Sequence, residues 1–456
     1  MALSPRSRFA GALSGFTAIA AATVLVLTGC SPAAGNGGGS GNASSGASGQ
    51  KVTVTVRLWD NQVQKAYDAS FKEFSAKNPD ITVKTVLVPW ANYWDKLRAD
   101  VSGGNADDIS LMNASNFKAY ADSGNLMEIG SSFDSEKKDW VDSSVQQYTY
   151  KDKLWGVPQL TDGGIAVYYN KKLVQQAGVD VSKLTWNPDA SKDTLVAATK
   201  KLTKDASGKT ADQPGFDGNH VTQWGYNASQ DLQAIYYNFI GSNGGKFEDG
   251  DKFAFASDES TAAFQYIVDL ITKDKVAPSA ANTNDNGDFA RDQFLQGKMA
   301  LFQSGLYNLK NVSDGATFDW GIAPLPAGAK GAVSVVNSVV AVGNAKSAHQ
   351  DATTKVLQWL GSAEGSQFIG ADGAALPAVK PAQSAFNAYW KTKNVDPTPF
   401  AKAAEGDVIQ APSNAKFQAA QAAFHPIFNE IFLGRRDVGS GLDAAEAAAN
   451  KAAGQG

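Results

Sequence analysis

Residues 51–88 read KVTVTVRLWDNQVQKAYDASFKEFSAKNPDITVKTVLV, and three local patterns follow one another in them. Apolar and polar side chains alternate over residues 52–58, which is the period of a half-buried strand. Aromatic residues then recur at spacings of four and three up to Phe74, the apolar stripe of a helix. Asn78-Pro79-Asp80 ends that helix, and residues 81–88 predict a second strand.

The alternation of strands and helices continues after residue 88. A second helix is predicted over residues 93–101, and a short strand follows at residues 109–112. Strands and helices in this order form a parallel α/β sheet, so the predicted fold class is α/β. Apolar residues at helical spacing predict further helices at residues 264–271, 356–360, 417–431 and 444–453.

The length and charge of the chain limit its architecture and its partners. The chain has 456 residues, and residues 51–456 exceed the ~250–300 residues that one hydrophobic core usually serves, so we expect two lobes. The formal charge is −4 and no long basic run is present, so nucleic acid is not an expected partner. The three histidines are widely scattered and no metal-ligand spacing occurs. We therefore expect neither a metal nor a cofactor.

The first 29 residues have the layout of a secretory signal peptide, in which Arg6 and Arg8 precede an apolar run. That run is shorter than the ~20 residues that a membrane-spanning helix requires. Leu27-Thr28-Gly29-Cys30 resembles the lipobox of bacterial lipoproteins. The resemblance implies cleavage before Cys30, attachment of a diacylglyceryl group and palmitate there, and anchoring at the outer face of the cell membrane. The alternative is an unmodified cysteine behind a secretion signal or a short membrane span.

The segment after the predicted cleavage site is a tether. Residues 31–50 are nearly all Gly, Ser, Ala and Asn, a composition that behaves as a flexible coil. We therefore divide the chain into a signal peptide at 1–29, a lipidated cysteine and linker at 30–50, and a folded body. Removal of Arg6 and Arg8 with the signal changes the formal charge from −4 to −6.

Polar clusters follow the predicted strands. In parallel sheets, ligands bind beyond the carboxyl ends of the strands, so residues at those positions are candidate ligand-binding groups. The candidates in these clusters are Asp60, Asn61, Gln62, Trp90, Asn92, Asn113, Ser115, Asn116 and Asp162. Aromatic rings beside amide and carboxylate groups suit a neutral, polyhydroxylated ligand, because a sugar has an apolar face and many hydroxyls.

Each of these candidates also has a structural interpretation. Asp60, Asn61 and Gln62 could cap the helix that follows them, and Ser115 could cap another. Trp59, Tyr93 and Trp94 are expected to pack within the protein. Tyr236 and Tyr237 lie side by side on a predicted helix, so we expect one of them to face outward, and Tyr236 is a candidate stacking ring.

The order of several segments resembles the sugar-binding lipoproteins of ATP-driven importers, the family related to maltose-binding protein. The segments that carry the resemblance are FSAKNPDITV at 74–83, NADDISLM at 105–112, WGVP at 155–158, VYYNK at 167–171, FLQGKMALFQSGLY at 294–307, WGIAPLP at 320–326 and AALP at 374–377. Two of them depart from the family pattern. Ala106-Asp107 replaces the usual proline, and Tyr307 stands where a stacking tryptophan is usual.

The resemblance implies a two-lobed periplasmic-binding-protein-like fold with discontinuous lobes, a hinge and a central ligand cleft. Lobe one would comprise 51–161 and 340–374, and lobe two 162–339 and 375–456. The implied crossings are at Thr161-Asp162-Gly163, Asn337-Ser338 and Ala375-Leu376-Pro377. Tyr307 and Asn337 become further candidate ligand residues. The implied function is capture of a sugar or oligosaccharide by a monomer that delivers it to the membrane permease subunits of an ABC importer.

Two alternatives remain open at this point. The same two-lobed fold could bind a non-sugar solute. An extracellular glycoside hydrolase would need a carboxylate pair, such as Asp162 with Asp60 or Asp231. No GxSxG, HExxH or SxxK arrangement accompanies those carboxylates, so we expect a binding protein and not an enzyme.

Overall fold

The computed structural model describes residues 51–161, 163–284 and 286–455. The predicted signal peptide 1–29, Cys30 and the linker 30–50 lie outside the described residues. Within the described ranges, none of the helices combines the length and the apolar character needed to cross a membrane.

The strands are β1 Val52–Leu58, β2 Ile81–Leu87, β3 Ile109–Asn113, β4 Thr149–Tyr150, β5 Lys153–Leu154, β6 Val157–Thr161, β7 Ile165–Asn170, β8 Lys204–Asp205, β9 Val221–Gln223, β10 Glu248–Asp249, β11 Lys252–Phe253, β12 Leu301–Gly305, β13 Trp320–Ala323, β14 Ser334–Val336, β15 Ser338–Gly343, β16 Leu376–Pro377 and β17 Val408–Gln410. The α-helices are α1 Asn61–Lys77, α2 Trp90–Gly103, α3 Ala114–Asp122, α4 Asp134–Lys137, α5 Asp142–Gln147, α6 Lys171–Ala177, α7 Leu195–Leu202, α8 Tyr237–Asn243, α9 Asp258–Thr272, α10 Ala280–Thr283, α11 Phe289–Leu295, α12 Leu309–Gly315, α13 Gln350–Gly361, α14 Ala363–Ala371, α15 Gln383–Thr392, α16 Thr398–Glu405, α17 Phe417–Phe432 and α18 Val438–Ala452.

The predicted strand–helix–strand unit is confirmed as β1, α1 and β2. The inward side chains of β1 are fully buried, as their alternation requires. Helix α1 begins after Asp60, whose carboxylate accepts a hydrogen bond from the backbone N–H of Gln62, and its aromatic stripe faces the core. Helix α2 begins at Trp90, three residues earlier than predicted, so Trp90 and Asn92 lie on its first turn.

The large sheet of lobe one has six strands in the order β16-β6-β15-β3-β1-β2. Strands β1, β2 and β3 are parallel, as predicted. Strands β15, β6 and β16 join them in antiparallel pairs, so the sheet is mixed and the prediction of a parallel sheet holds for one half only. The antiparallel strands arise where the chain returns from elsewhere in the molecule, a relationship that local periodicity does not contain.

The second lobe contains a three-stranded antiparallel sheet in the order β12-β7-β13. The chain leaves the large sheet at the end of β6 and enters the small sheet at β7. It returns between β14 and β15, where Asn337 is the single residue between the two strands. Strand β16 pairs with β6 in the large sheet. After α15, helix α16 reaches the start of β7, where the N–H of Gly164, just before that strand, donates to the carbonyl of Phe400 over 2.9 Å.

A buried ion cluster links β1 of the large sheet to α2 and to the segment before β3. The guanidinium of Arg57 lies 2.5 Å from a carboxylate oxygen of Asp100 and 2.6 Å from one of Asp107. Its side chain is 3% exposed, and Nε and Nη2 of the guanidinium both meet carboxylates. The substitution of Ala106-Asp107 for a proline therefore supplies one of the two carboxylates that neutralise Arg57.

Candidate functional site

Three loops leave the large sheet at one edge. Leu58, the last residue of β1, pairs in register with Leu87 of β2, and Val56 pairs with Ile109 of β3. Because the three strands are parallel, the residues that follow their carboxyl ends lie side by side. Asp60, Trp90 and Asn113, predicted separately from the sequence, are thereby placed along the same edge.

An aromatic cluster of Trp59, Trp90, Tyr93 and Trp94 stands at this edge. Trp59 is its centre, with ring centroids 5.4 Å from Trp90, 5.1 Å from Tyr93 and 6.0 Å from Trp94. Tyr93 is fully buried and its hydroxyl donates to the carbonyl of Leu111 over 2.7 Å. Trp90 is 51% exposed. A large ring held by other rings yet open to solvent is available for contact with a ligand.

The carboxylate of Asp60 lies beside these rings. One of its oxygens accepts from the N–H of Gln62 over 2.8 Å, so Asp60 caps α1 as the structural interpretation expected. Burial raises the pKa of Asp60, and the Gln62 hydrogen bond and the positive charge of Arg291 partly oppose this. Gln62 is half-buried, whereas Asn61 on the same turn and Asn92 on the first turn of α2 are exposed.

Arg291 of α11 and Asp288, the residue just before that helix, supply the charges that act on Asp60. Arg291 lies 2.9 Å from Asp288, and the charge of Asp288 contributes to the raised pKa of Asp60. Sequence reasoning did not select Arg291, because this residue follows no predicted strand. Arg291 also lies 3.5 Å from Asp292, so two carboxylates compensate this cation.

Amide side chains follow β3. Asn113 ends the strand, and Asn116 on the first turn of α3 donates from Nδ2 to Oδ1 of Asn113 over 2.7 Å. Asn113 is 8% exposed and Asn116 is 5% exposed. Ser115 lies between them on the helix and is also buried. Burial of three polar side chains at a strand end is costly unless they are hydrogen-bonded, so their presence here points to a polar site.

Gln418 of α17 completes this amide group from the second lobe. Its Nε2 donates to Oδ1 of Asn116 over 2.6 Å. Sequence reasoning did not select Gln418. In the sequence, Gln418 is a polar residue directly after Phe417, at the side of the apolar face of α17. That position was the signal that could have identified it.

Tyr307 and Asn337 lie at the junctions of the second lobe. Tyr307 is half-buried on a short 3-10 turn, Leu306–Asn308, that follows β12. Its ring lies over Gly305, where a Cβ atom would come within 2.2 Å of the ring, so only glycine allows this placement. Asn337 is 7% exposed, and its Oδ1 accepts from the N–H of Ser338 over 3.0 Å at the crossing between β14 and β15.

Tyr236 is placed in the core of the second lobe, and the expectation that one tyrosine of the pair faces outward is wrong. Tyr236 is 2% exposed and Tyr237 is fully buried. The chain forms a π-helical turn at Leu232–Tyr236, with the N–H of Tyr236 donating to the carbonyl of Asp231 over 3.0 Å. The rings of Phe247, Phe264 and Phe428 surround Tyr236, so both tyrosines are enclosed.

Asp162 lies outside the described residues. The two glycines that follow it are placed tightly: Gly163 has a φ of +57°, and a Cβ atom at Gly164 would lie 2.8 Å from the backbone of helix α16. No group of three or more His, Cys, Asp or Glu side chains in the described part of the chain is arranged to hold a metal ion. Asp231 caps the π-helical turn, with a carboxylate oxygen accepting from the N–H of Ala234 over 2.7 Å.

With this geometry in hand, comparisons with known proteins assign the family. The family described as bacterial extracellular solute-binding protein matches residues 60–367, which is more than half of the chain. The chain belongs to this family. Its members are binding proteins and not enzymes, which confirms the expectation of a non-enzymatic protein and removes the hydrolase alternative.

Similar proteins agree with this assignment. The solute-binding protein is 51% identical to UspC of M. tuberculosis, whose crystal structure matches 88% of this chain and 100% of its own with a TM-score of 0.69. It is 27% identical over 316 residues to the maltodextrin-binding protein MdxE of Bacillus subtilis, covering 68% of this chain and 67% of MdxE. An ABC substrate-binding protein from Listeria monocytogenes, solved in complex with cycloalternan, matches 88% of this chain and 99% of its own at 22% identity with a TM-score of 0.75. The predicted two-lobed fold of the maltose-binding-protein type is confirmed.

Proposed function

We propose that this solute-binding protein captures a neutral sugar or oligosaccharide between its lobes and delivers it to the permease subunits of an ABC importer. The observation that carries the proposal is Trp90, a 51% exposed indole fixed by the aromatic cluster at the carboxyl edge of the sheet. Its neighbours at that edge are amides and a carboxylate. This combination matches the two faces of a sugar, one apolar and one rich in hydroxyls.

The polar groups can fix the orientation of such a ligand. Asp60 carries a carboxylate that accepts from hydroxyls, while Asn113 and Asn116 carry groups that both donate and accept. Charge-assisted hydrogen bonds to Asp60 would be the stronger ones, worth about 1.5–3 kcal/mol each. Tyr307 would provide a second stacking ring in the place of the usual tryptophan. Asp162, which lies outside the described residues, is proposed as a hydroxyl acceptor from its sequence position alone.

The relatives support a carbohydrate in particular. MdxE is a maltodextrin-binding protein by name, and another relative from Bacillus subtilis, 24% identical over 311 residues, is a galactooligosaccharide-binding protein. Two arginines near these loops are paired with carboxylates, Arg57 with Asp100 and Asp107 and Arg291 with Asp288. A phosphate-like anion would need uncompensated cations there, so a neutral ligand suits the site better.

We further propose that the protein acts as a monomer held at the outer face of the membrane by a lipid on Cys30. The sequence before Cys30 supports this, and residues 31–50 would serve as a tether of a few tens of ångströms at most. Ligand binding would select the closed arrangement of the two lobes, which is the form that a permease can recognise.

A thermal-shift screen of mono- and oligosaccharides tests the proposal, with amino acids and polyamines as comparison ligands. A sugar present at a hundredfold excess over its dissociation constant should add about 2.7 kcal/mol of apparent stability. Stabilisation by a polyamine or an amino acid and by no sugar would support the non-sugar alternative instead. X-ray scattering should report a smaller radius of gyration when the sugar is bound.

A further inference from the structure

Helices α3 and α17 meet through a chain of three amides, which we call the amide chain: Asn113, Asn116 and Gln418. Asn116 Nδ2 donates to Asn113 Oδ1 over 2.7 Å, and Gln418 Nε2 donates to Asn116 Oδ1 over 2.6 Å. The first two residues belong to lobe one. Gln418 is the second residue of α17, which packs on α18 and α9 in lobe two and also meets α3. The amide chain therefore bridges the lobes.

The position of the amide chain coincides with the candidate site. Asn113 ends β3, at the same sheet edge as Asp60 and Trp90. Asn113 and Asn116 are more than nine-tenths buried, whereas Gln418 is half-buried. On α17, Gln418 is turned about 100° from Phe417, which faces the core, so its side chain leaves the helix on the flank that faces lobe one.

The chemistry of the amide chain leaves room for a ligand. Each primary amide has two N–H donors and an oxygen with two lone pairs. The bonds within the amide chain use one N–H of Asn116 and one of Gln418, and the Gln418 amide also approaches the hydroxyl of Tyr120. The second N–H of Asn116 and the side-chain oxygen of Gln418 can therefore meet a hydroxyl of the ligand. A group that offers both donors and acceptors at fixed positions distinguishes epimers of a sugar, because moving one hydroxyl leaves a buried partner unmatched.

We infer that Gln418 is a specificity-determining residue of the site. It contacts the hydroxyls of the ligand from lobe two, through the same amide that donates to Asn116. This inference rests on the proposed carbohydrate function. It assigns to one side chain both a recognition role and a contact between the lobes. When the lobes close around a sugar with a mismatched hydroxyl, the hydrogen bond between Gln418 and Asn116 would then be weakened.

A second contact, from α3 to the segment just before α17, provides the control. Lys118, two residues after Asn116, donates from Nζ to the hydroxyl of Ser413 over 3.2 Å. The backbone N–H of Ser413 donates in turn to the carboxylate of Glu248 over 2.8 Å. Lys118 also lies over the ring of Tyr150, 5.2 Å from its centroid. Its substitution removes a contact between the lobes without altering the amide chain.

The experiment is binding calorimetry on the full folded body with maltose, cellobiose, lactose, trehalose and maltotriose. These sugars differ in hydroxyl configuration, linkage and length. The proteins are wild type, Gln418→Ala, Gln418→Glu and Lys118→Met. Gln418→Glu keeps the side-chain length and the acceptor oxygen but loses the N–H that reaches Asn116. It therefore still tests the inference if Gln418→Ala folds poorly. Melting temperatures of all four proteins check the fold.

The expected result separates recognition from closure. Gln418→Ala and Gln418→Glu should change the ratio of affinities between two sugars by about 2- to 10-fold, the equivalent of one hydrogen bond. Lys118→Met should shift all affinities by one common factor. If the Gln418 variants also shift every sugar by one common factor, or change none, the inference is overturned while the carbohydrate function stands. If wild type binds none of the sugars, the carbohydrate function is overturned and this inference with it.

Discussion

The indole of Trp59 meets the indole of Trp90 edge to face, with 5.4 Å between ring centroids and 71° between ring planes. Trp59 is packed against the fully buried Tyr93, whereas Trp90 exposes half of its surface. One ring of the pair is therefore anchored to the core and the other is presented to solvent. This division of roles is the basis of the first prediction.

Trp90→Ala should weaken sugar binding by about 1–3 kcal/mol, because it removes the stacking face and the apolar area beneath it. The melting temperature without sugar should stay close to that of wild type, since Trp90 is 51% exposed. Leu87→Ala is the matched control. Leu87 is an apolar residue at the end of β2, the strand before Trp90, and 39% of its surface is accessible. Calorimetry in which both variants lose the same affinity would contradict a specific role for Trp90.

Tyr307→Ala should also lower sugar affinity, by roughly 1–3 kcal/mol, through loss of a second stacking ring. Tyr307→Phe keeps the ring and should retain most of that affinity. Because Tyr307 is half-buried beside Gly305, a modest fall in melting temperature is expected for the alanine variant. Equal binding by all three proteins would assign Tyr307 a packing role only.

Sugar affinity should fall at acidic pH through Asp60. Burial raises the pKa of this carboxyl, so it becomes protonated at a higher pH than an ordinary aspartate, whose pKa is about 3.9. Affinity should therefore be full at neutral pH and be lost as the pH falls through the raised pKa. Asp60→Asn should bind more weakly at neutral pH and show a flatter pH profile. A wild-type profile that matches that of Asp60→Asn would show that Asp60 does not meet the ligand.

Arg57→Ala should destabilise the folded body by about 3–5 kcal/mol, because it removes the buried cation that pairs with Asp107 and Asp100 and leaves Asp100 only its more exposed partner Lys96. Arg98→Ala is the control, since Arg98 pairs with Asp95 at the surface with 55% of its side chain exposed, and it should cost at most about 1 kcal/mol. Urea titration measures both. Comparable losses in the two variants would refute the distinction between buried and exposed pairs here.

The Arg57 cluster also predicts a pH dependence of stability. Arg57 lowers the pKa of Asp100, so the folded state holds this carboxyl ionised more strongly than the unfolded chain does. Its contribution should be complete above the ordinary aspartate pKa of about 3.9 and should be lost as the pH falls through the lowered value. Arg57→Ala should remove this part of the acid transition.

Cys30→Ala should prevent lipid attachment, since the thiol is the proposed acceptor. The variant should accumulate as an unprocessed or soluble form and should no longer partition into detergent. Metabolic labelling with a radioactive fatty acid and phase separation in detergent measure the two effects. Membrane fractionation identical to that of wild type would rule out the lipobox interpretation.

The local elements of the first lobe follow from short-range patterns. Alternation over 52–58, the aromatic stripe that ends at Phe74 and the break at Asn78-Pro79-Asp80 each act over a few residues, and β1, α1 and β2 form as those patterns predict. Parallel strands have their carboxyl ends at one edge of the sheet, independently of the rest of the chain. This general property predicts that Asp60, Trp90 and Asn113 lie at the same edge.

Other features depended on packing that no local pattern records. Tyr236 and Tyr237 are neighbours on a turn that should expose one of them, yet rings from distant elements enclose both. Strands β15, β6 and β16 add an antiparallel half to the large sheet. Gln418 lies 302 residues from Asn116 along the chain, and only the meeting of α17 with α3 brings the two amides within 2.6 Å.

The sequence by itself determined the α/β class, the first strand–helix–strand unit and the edge at which its polar and aromatic loops end. Each of these is set by side-chain periodicity and by backbone geometry within a short segment. The tertiary structure alone decided which tyrosine rings are buried and which groups of the second lobe, Arg291 and Gln418 among them, approach that edge. Such contacts arise from burial of apolar surface across the whole chain, and they carry no periodic signal at the residues that make them.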